Sequence, residues 1–119
     1  MRDEQLCVVL CNCPVDDAKD IAQALVASRL VSCVNLIGGV ESVYRWQGEV
    51  VFDRETTLLI KTTVGGFGAL EARLFELHPY DVPEIIALEP TAVLEAYAQW
   101  NAAQVVVGGD LPAHESQNE

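Results

Sequence analysis

The segment Leu6-Cys7-Val8-Val9-Leu10-Cys11-Asn12-Cys13, which stops at Pro14, decides how the rest of the chain is interpreted. It is short, apolar and rich in residues compatible with β structure, which predicts a buried strand. Acidic side chains at Asp16 and Asp17 then favour the first turn of a helix. Apolar residues continue at helical spacing, so we expect this helix to end near residue 29 or 30.

A second β region follows at residues 32–46 and is interrupted by the pair Gly38-Gly39. Two glycines inside a strand indicate a bulge or a sharp bend. The pair Gln47-Gly48 is typical of a turn, and the pattern of residues from Val50 to Thr63 predicts the returning strand. This pattern predicts one long β-hairpin.

Beyond this hairpin the chain repeats the alternation of helix and strand. Apolar spacing predicts a second helix from Phe67 to Leu77, a short strand at residues 83–88 and a third helix around residues 93–100. The order β-α-β-β-α-β plus a C-terminal helix predicts an α+β chain of the ferredoxin-like, split βαβ type. We expect one domain at residues 1–107 and a polar, disordered tail at residues 108–119.

Composition excludes several classes of function. The 119 residues include 18 Asp and Glu against 7 Lys and Arg, for a formal net charge of −11 at pH 7. Nucleic-acid binders and proteins of anionic membrane surfaces need clustered basic residues, so neither partner is expected. The sequence has no signal-like segment and no apolar run of the roughly 18 residues that a membrane span needs, which predicts a cytoplasmic location. Common catalytic motifs are missing as well, which sets aside several catalytic schemes, while a nucleophile pair of Cys11 and His78 stays formally possible.

Cysteines on the first strand are candidate metal ligands. Residues two apart on a strand point to the same side, so Cys7, Cys11 and Cys13 share one face. Small apolar packing is the first interpretation of Cys7 and of Cys33. Cys11 and Cys13 lie where the strand ends, and two sulfurs on one face suit Cu(I) or Zn(II).

In the segment from His78 to Glu84, two prolines pin a turn that holds an imidazole, a phenol and two carboxylates close together. It is either a rigid connection that carries a surface histidine or the preorganised wall of a site. Lys61, on the return strand among apolar residues, pairs with an acid such as Glu84 or reaches into a cleft. Tyr44 and Trp46, before the hairpin turn, are best explained by packing.

Several blocks of this sequence together resemble the CutA divalent-cation tolerance proteins. These are residues 27–35 (Ala-Ser-Arg-Leu-Val-Ser-Cys-Val-Asn), residues 42–48 (Ser-Val-Tyr-Arg-Trp-Gln-Gly) and residues 78–86 (His-Pro-Tyr-Asp-Val-Pro-Glu-Ile-Ile). The resemblance implies a ferredoxin-like homotrimer with an architecture similar to the PII signalling proteins. It also implies a role in tolerance of copper and other divalent ions, with no established reaction and no organic cofactor.

The resemblance also suggests where a metal ion or a small ligand would bind. In copper-binding members the proposed ligands are one Cys and two consecutive His; these match Cys11 and His78, while Leu77 stands where the first His is expected. Cys13 could restore a third donor. The alternative is a PII-like protein that binds a small anion or metabolite in clefts between subunits, at Tyr44, Trp46, Lys61, Tyr80, Asp81 and Glu84. A hydrolase of the acylphosphatase kind is least favoured, because the early loop offers negative charge in place of a phosphate-binding arginine.

Overall fold

The computed structural model describes residues 2–106, which form one four-stranded antiparallel sheet with three helices. After a 3-10 turn at Arg2–Glu4, the elements in chain order are β1 (Leu6–Pro14), α1 (Val15–Ala27), β2 (Cys33–Trp46), β3 (Glu49–Thr63), α2 (Phe67–Leu77), β4 (Ile86–Leu88) and α3 (Glu95–Gln104). The strand order is β2-β3-β1-β4. This arrangement confirms the predicted ferredoxin-like α+β fold. The predicted tail at residues 108–119, and residue 107 before it, lie outside the described residues.

Helices α1 and α2 cover one face of the sheet. The side chains of Cys7, Val9, Cys11 and Cys13 point to that face from β1 and belong to the buried core together with Leu58 and Ile60 of β3 and Leu25, Leu70 and Leu74 of the helices. We call the opposite face of the sheet the open face. Strand β1 carries Val8, Leu10 and Asn12 on it, and these three side chains are only partly buried.

The hairpin of β2 and β3 contains the predicted bulge. Ile37 pairs with Thr57 and Val40 pairs with Glu55, so three steps along β2 match two steps along β3. Gly39 adopts a φ of 73° within this bulge, a backbone conformation that glycine adopts without steric cost. At the far end, Gln47 and Gly48 have φ values of 50° and 81°, as a two-residue hairpin turn of type I′ requires.

The bulge shifts the alternation of β2 side chains between the two faces of the sheet. Before it, odd-numbered residues such as Ile37 face the open side; after it, even-numbered residues do, because Val40 again lies beside Glu55. Ser42, Tyr44 and Trp46 therefore share the open face with Glu55. The bulge thus determines which hairpin side chains can form a site with β1 and β3.

Three element boundaries differ from the sequence prediction. Strand β4 is limited to Ile86–Leu88, which pair with Val8–Leu10, whereas residues 83–85 lie outside the sheet. Helix α1 ends at Ala27, and Arg29 takes the left-handed conformation with a φ of 62°. Helix α3 starts at Glu95 and continues to Gln104.

Arg29 also holds the C-terminal end of α3. Its guanidinium group donates to the carbonyl oxygens of Ala103 (2.9 Å) and Gln104 (3.2 Å).

Candidate functional site

Asn12 connects the end of β1 to strand β3 and to the segment that follows α2. Its side-chain oxygen accepts a hydrogen bond from Thr57 Oγ1 at 2.6 Å, and its Nδ2 donates to Glu84 Oε1 at 3.4 Å. Its backbone oxygen lies 2.8 Å from His78 Nε2. The segment that follows α2 is thereby held against the open face of the sheet.

His78 is buried, with 6% of its surface exposed, and both of its ring nitrogens have partners. The backbone N–H of Tyr80 donates to Nδ1 at 3.2 Å, so Nδ1 is an acceptor. Nε2 therefore carries the proton and donates it to the Asn12 carbonyl. A metal ion could bind this imidazole only by displacing one of these hydrogen bonds. His78 is therefore not a surface histidine, and it is not among the residues that line the cleft described below.

Glu55 is a buried carboxylate on the open face, with 5% of its surface exposed. Tyr80 Oη donates to one carboxylate oxygen at 2.7 Å and Ser42 Oγ donates to the other at 2.6 Å. Burial, and then this hydrogen bond to Glu55, raise the pKa of the Tyr80 phenol well above its usual range. Tyr44 Oη donates in the same way to Asp53, which raises the pKa of that phenol. Both phenols remain protonated donors at neutral pH.

These groups line a cleft between the hairpin and the segment after α2, with a volume of about 700 Å³. We call it the acidic cleft. Three of its lining residues are carboxylates, namely Glu55, Asp81 and Glu84, and no Lys or Arg of the described chain lines it. The other lining residues are aromatic, aliphatic or neutral polar: Asn12, Ser42, Val43, Tyr44, Trp46, Tyr80 and Val82.

The acidic cleft brings together most of the residues that the sequence suggested for a ligand cleft. Tyr44, Trp46, Tyr80, Asp81 and Glu84 all line it. Lys61 does not, because its Nζ donates to Asn35 Oδ1 on the neighbouring strand, and the suggested pair with Glu84 is not formed.

Sequence reasoning missed Glu55, Ser42 and Asn12. Glu55 and Ser42 occur in a β pattern as ordinary polar residues. Only the shift caused by the bulge, together with the position of Tyr80, shows that they point into one site. The one available signal was an acidic residue at the start of the apolar part of β3.

Cys11 and Cys13 lie in the core beneath the helices, not at the surface of a cleft. Both have no exposed surface. Burial, followed by the proximity of Cys13, raises the pKa of the Cys11 thiol to about 12, and burial together with Asp17 raises that of Cys13 to about 11. Metals bind thiolates, so a metal ion would have to displace a proton from each of these buried thiols.

Within residues 2–106 no group of three or more His, Cys, Asp or Glu is arranged to hold a metal ion. Cys11 does approach His78 indirectly, since its Sγ lies 3.8 Å from the same Asn12 carbonyl oxygen that His78 contacts. As arranged, however, two protonated thiols and a fully bonded imidazole do not fit a copper ion. The assignment of Cys11, His78 and Cys13 as ligands stays a prediction.

Comparison with known proteins decides the family. Residues 7–104 match the family model described as CutA1 divalent ion tolerance protein. The chain belongs to this CutA1 family. A divalent-cation tolerance protein CutA from Thermus thermophilus is 50% identical over 94 residues, which cover 78% of this chain and 91% of that one. The predicted resemblance is therefore confirmed.

Solved structures of CutA1 relatives share the fold. A CutA1 from Thermus thermophilus superposes with a TM-score of 0.82 at 46% identity, covering 86% of this chain and 100% of that one. A PII-like CutA from Nostoc sp. PCC 7120, in apo form, gives a TM-score of 0.82 at 36% identity, with coverage of 86% and 99%. These relatives are named for divalent cation tolerance or for PII-like architecture, not for a reaction. No helix within residues 2–106 has the length and apolar character required to cross a membrane.

The burial of the thiols predicts how the cysteines react with a thiol reagent such as Ellman's reagent at pH 8. We expect Cys7, Cys11 and Cys13 to be protected in the native protein, because they are buried, and the partly exposed Cys33 to account for any fast reaction. Four thiols should react after unfolding in guanidinium chloride. The variant Cys33→Ser should lose the fast reaction. Fast native labelling that persists in this variant would show that the strand β1 thiols are accessible.

Proposed function

We propose that this CutA1-family chain acts in the response to divalent metal ions as a homotrimeric binding protein without catalytic activity, and that its acidic cleft takes up cations. One observation carries the proposal: three carboxylates line a cleft to which the described chain contributes no basic side chain.

The cytoplasmic location expected from the sequence remains part of this proposal. A relative from Arabidopsis thaliana is named chloroplastic; it is 42% identical over 82 residues, which cover 69% of this chain and 45% of that one.

The charge of the cleft distinguishes a cation from the small anion of the alternative hypothesis. An anion in this cleft would approach Glu55, Asp81 and Glu84, and among residues 2–106 no Lys or Arg lines the cleft to stabilise it. Of these carboxylates, Glu55 is the buried one, and both of its recorded partners are neutral hydroxyl groups. A buried carboxylate without a cationic partner is stabilised by an arriving positive charge. We therefore keep the PII-like architecture of the alternative hypothesis and propose a cation as the ligand in place of its anion.

Copper is compatible with this cleft. The available donors are carboxylate oxygens, amide and hydroxyl groups, and divalent ions of the first transition row bind a given set of donors with increasing affinity up to Cu²⁺. As arranged in the single chain, Glu55, Asp81 and Glu84 do not form a group that could hold a metal ion together. An ion would therefore contact one or two of these carboxylates, and water or a second subunit would supply the remaining ligands.

The trimer is supported by the open face of the sheet. Helices α1 and α2 cover the other face, whereas apolar side chains on the open face remain partly or largely exposed in the single chain: Val8, Leu10, Ile37, Leu59, Ile86 and Leu88. A contiguous apolar surface of this kind marks an interaction site. In addition, β2 is a sheet edge of 14 residues with unpaired backbone groups along one side.

A charge placed on the open face should disrupt the trimer. Ile37 is 46% exposed in the single chain, so Ile37→Glu is tolerated by the monomer fold but buries a carboxylate in the proposed interface. In sedimentation velocity we expect the parent to have three times the chain mass of 13.0 kDa and the variant to have a lower mass. As a control, Phe75→Glu changes a residue that is 57% exposed on helix α2 and should remain trimeric. A monomeric parent, or an Ile37→Glu variant that remains trimeric, would contradict the interface.

Cation binding in the cleft is tested by thermal unfolding with CuCl₂, ZnCl₂ and MnCl₂ against ATP and citrate. We expect the chlorides to raise the melting temperature and the anions to leave it unchanged, because only the folded cleft concentrates the carboxylates. In the double variant Asp81→Asn, Glu84→Gln, the metal concentration that gives the same rise in melting temperature should be at least tenfold higher. The variant Asp20→Asn, Glu95→Gln removes the same charge from exposed positions on α1 and α3 that do not line the cleft, and should behave as the parent.

If Cys11 and Cys13 bind the metal ion, the variants should have the opposite effects on stabilisation by metal. If the double variant Cys11→Ser, Cys13→Ser loses the metal effect while the Asp81→Asn, Glu84→Gln variant retains it, the acidic cleft is not the metal site. Stabilisation by ATP or citrate at the expense of the metals would instead support the anion alternative.

A further inference from the structure

We propose that the far end of the β2–β3 hairpin, residues 41–54, docks on helix α3 of a second copy of this chain. We call these residues the hairpin arm. The inference rests on the homotrimer of the proposed function and names a contact between its subunits. It follows from the apolar side chains that the arm and α3 expose and from their positions at opposite ends of the sheet.

The hairpin arm extends beyond the rest of the sheet. Strand β1 ends where Pro14 pairs with Glu55, so the six residue pairs of the arm have no third strand of the described chain beside them. Six residues of extended strand reach about 20 Å. A two-stranded ribbon is marginally stable at best in water unless another surface packs on it. The arm therefore needs a partner surface.

One face of the arm is apolar and exposed. Phe52 pairs with Val43 on the helix side of the sheet, opposite to the open face, and Val50 lies on the same side as Phe52. Helices α1 and α2 do not cover this end of the hairpin: Phe52 is 74% exposed, and Val43 and Val50 are exposed as well. A contiguous apolar surface of this kind marks an interaction site.

The charge of this face fits a second copy of the chain. It carries Arg45 and Arg54, two of the seven basic residues of a chain whose net charge is −11. Glu41 lies across the strands from Arg54, at 3.6 Å. With two arginines and one glutamate, this face has a net charge of +1 in an otherwise acidic protein. Complementary charge favours association with another acidic surface.

Helix α3 offers an apolar surface of matching character. Leu94, Tyr97 and Trp100 follow one another at three-residue spacing, and the ring centroids of Tyr97 and Trp100 are 5.5 Å apart. Leu94 is 76% exposed, and Trp100 is exposed too. These side chains could receive Phe52 and its apolar neighbours on the arm.

The arm and α3 cannot meet within one chain. Asn101 of α3 donates to the backbone oxygen of Thr62 at 2.8 Å, near the end of β3. Ten residues of this strand separate Thr62 from Phe52, a distance of about 33 Å in extended conformation. A cyclic trimer uses two different surfaces of each subunit, which meet head to tail around the ring. The arm and α3 are two such surfaces.

The test is a disulfide cross-link between the arm and α3. In the full chain with Cys33→Ser, the double variant Phe52→Cys, Leu94→Cys is oxidised with diamide, and free thiols are blocked with N-ethylmaleimide before non-reducing electrophoresis. We expect covalent dimers and trimers. Phe52→Cys or Leu94→Cys alone adds one exposed thiol and should give no covalent trimer. The pair Phe52→Cys, Val26→Cys, whose second position is exposed on α1, should give none either.

A substitution in the arm gives a second, independent measurement. Phe52→Glu places a carboxylate in the proposed contact, so at least tenfold more protein should be needed to reach the trimer mass in sedimentation. Because Phe52 is largely exposed in the single chain, this substitution leaves the monomer fold intact. Val15→Glu, at an exposed position on α1, should match the parent.

The outcomes distinguish this contact from the trimer itself. If the parent is trimeric but the Phe52→Cys, Leu94→Cys variant gives no covalent trimer, the docking of the arm on α3 is wrong and the homotrimer stands. Equal cross-linking of the Val26→Cys pair, or a Phe52→Glu variant that assembles like the parent, also overturns the docking. A monomeric parent would contradict both the docking and the homotrimer.

Discussion

The antiparallel pairing of β1 with β3 is the interaction on which the rest of this structure depends. It runs without interruption from the pair Leu6 and Thr63 to the pair Pro14 and Glu55. One side of this ladder supplies the core beneath the helices, and the other side supplies the open face. The same register sets Asn12 beside Thr57 and places Glu55 at the end of the ladder. The register of β1 against β3 therefore determines which side chains form the core, the proposed interface and the cleft.

Much of this fold was predictable, because each element carries its own local signal. The apolar run that ends at Pro14, the turn at Gln47-Gly48 and the helical spacing from Phe67 to Leu77 all correspond to observed elements. The cleft was predictable only in part. Tyr80, Asp81 and Glu84 belong to one short segment that contains two prolines, whereas Glu55 and Ser42 face the site because of the bulge at Gly38-Gly39. A bulge can be predicted from two glycines, but its register, and therefore which side chains face the site, depends on pairing across the sheet.

The cysteines show the limit of motif reasoning most clearly. Alternation on β1 correctly places Cys7, Cys11 and Cys13 on one face, but the sequence does not reveal that this face is the one covered by helices. Their burial raises the thiol pKa of Cys11 and Cys13 and favours a packing role. Part of the net charge of −11 is also concentrated locally, since three of the carboxylates line one cleft to which residues 2–106 contribute no Lys or Arg.

The central claim is that cations bind in the acidic cleft and not at the thiols of β1. Anomalous diffraction at the copper edge, from crystals soaked in Cu²⁺, tests it most directly because it locates the ion. We expect an anomalous peak in the acidic cleft, at the carboxylates of Glu55, Asp81 or Glu84, and none beside Cys11. A peak between Cys11 and His78, with the cleft free of copper, would contradict it.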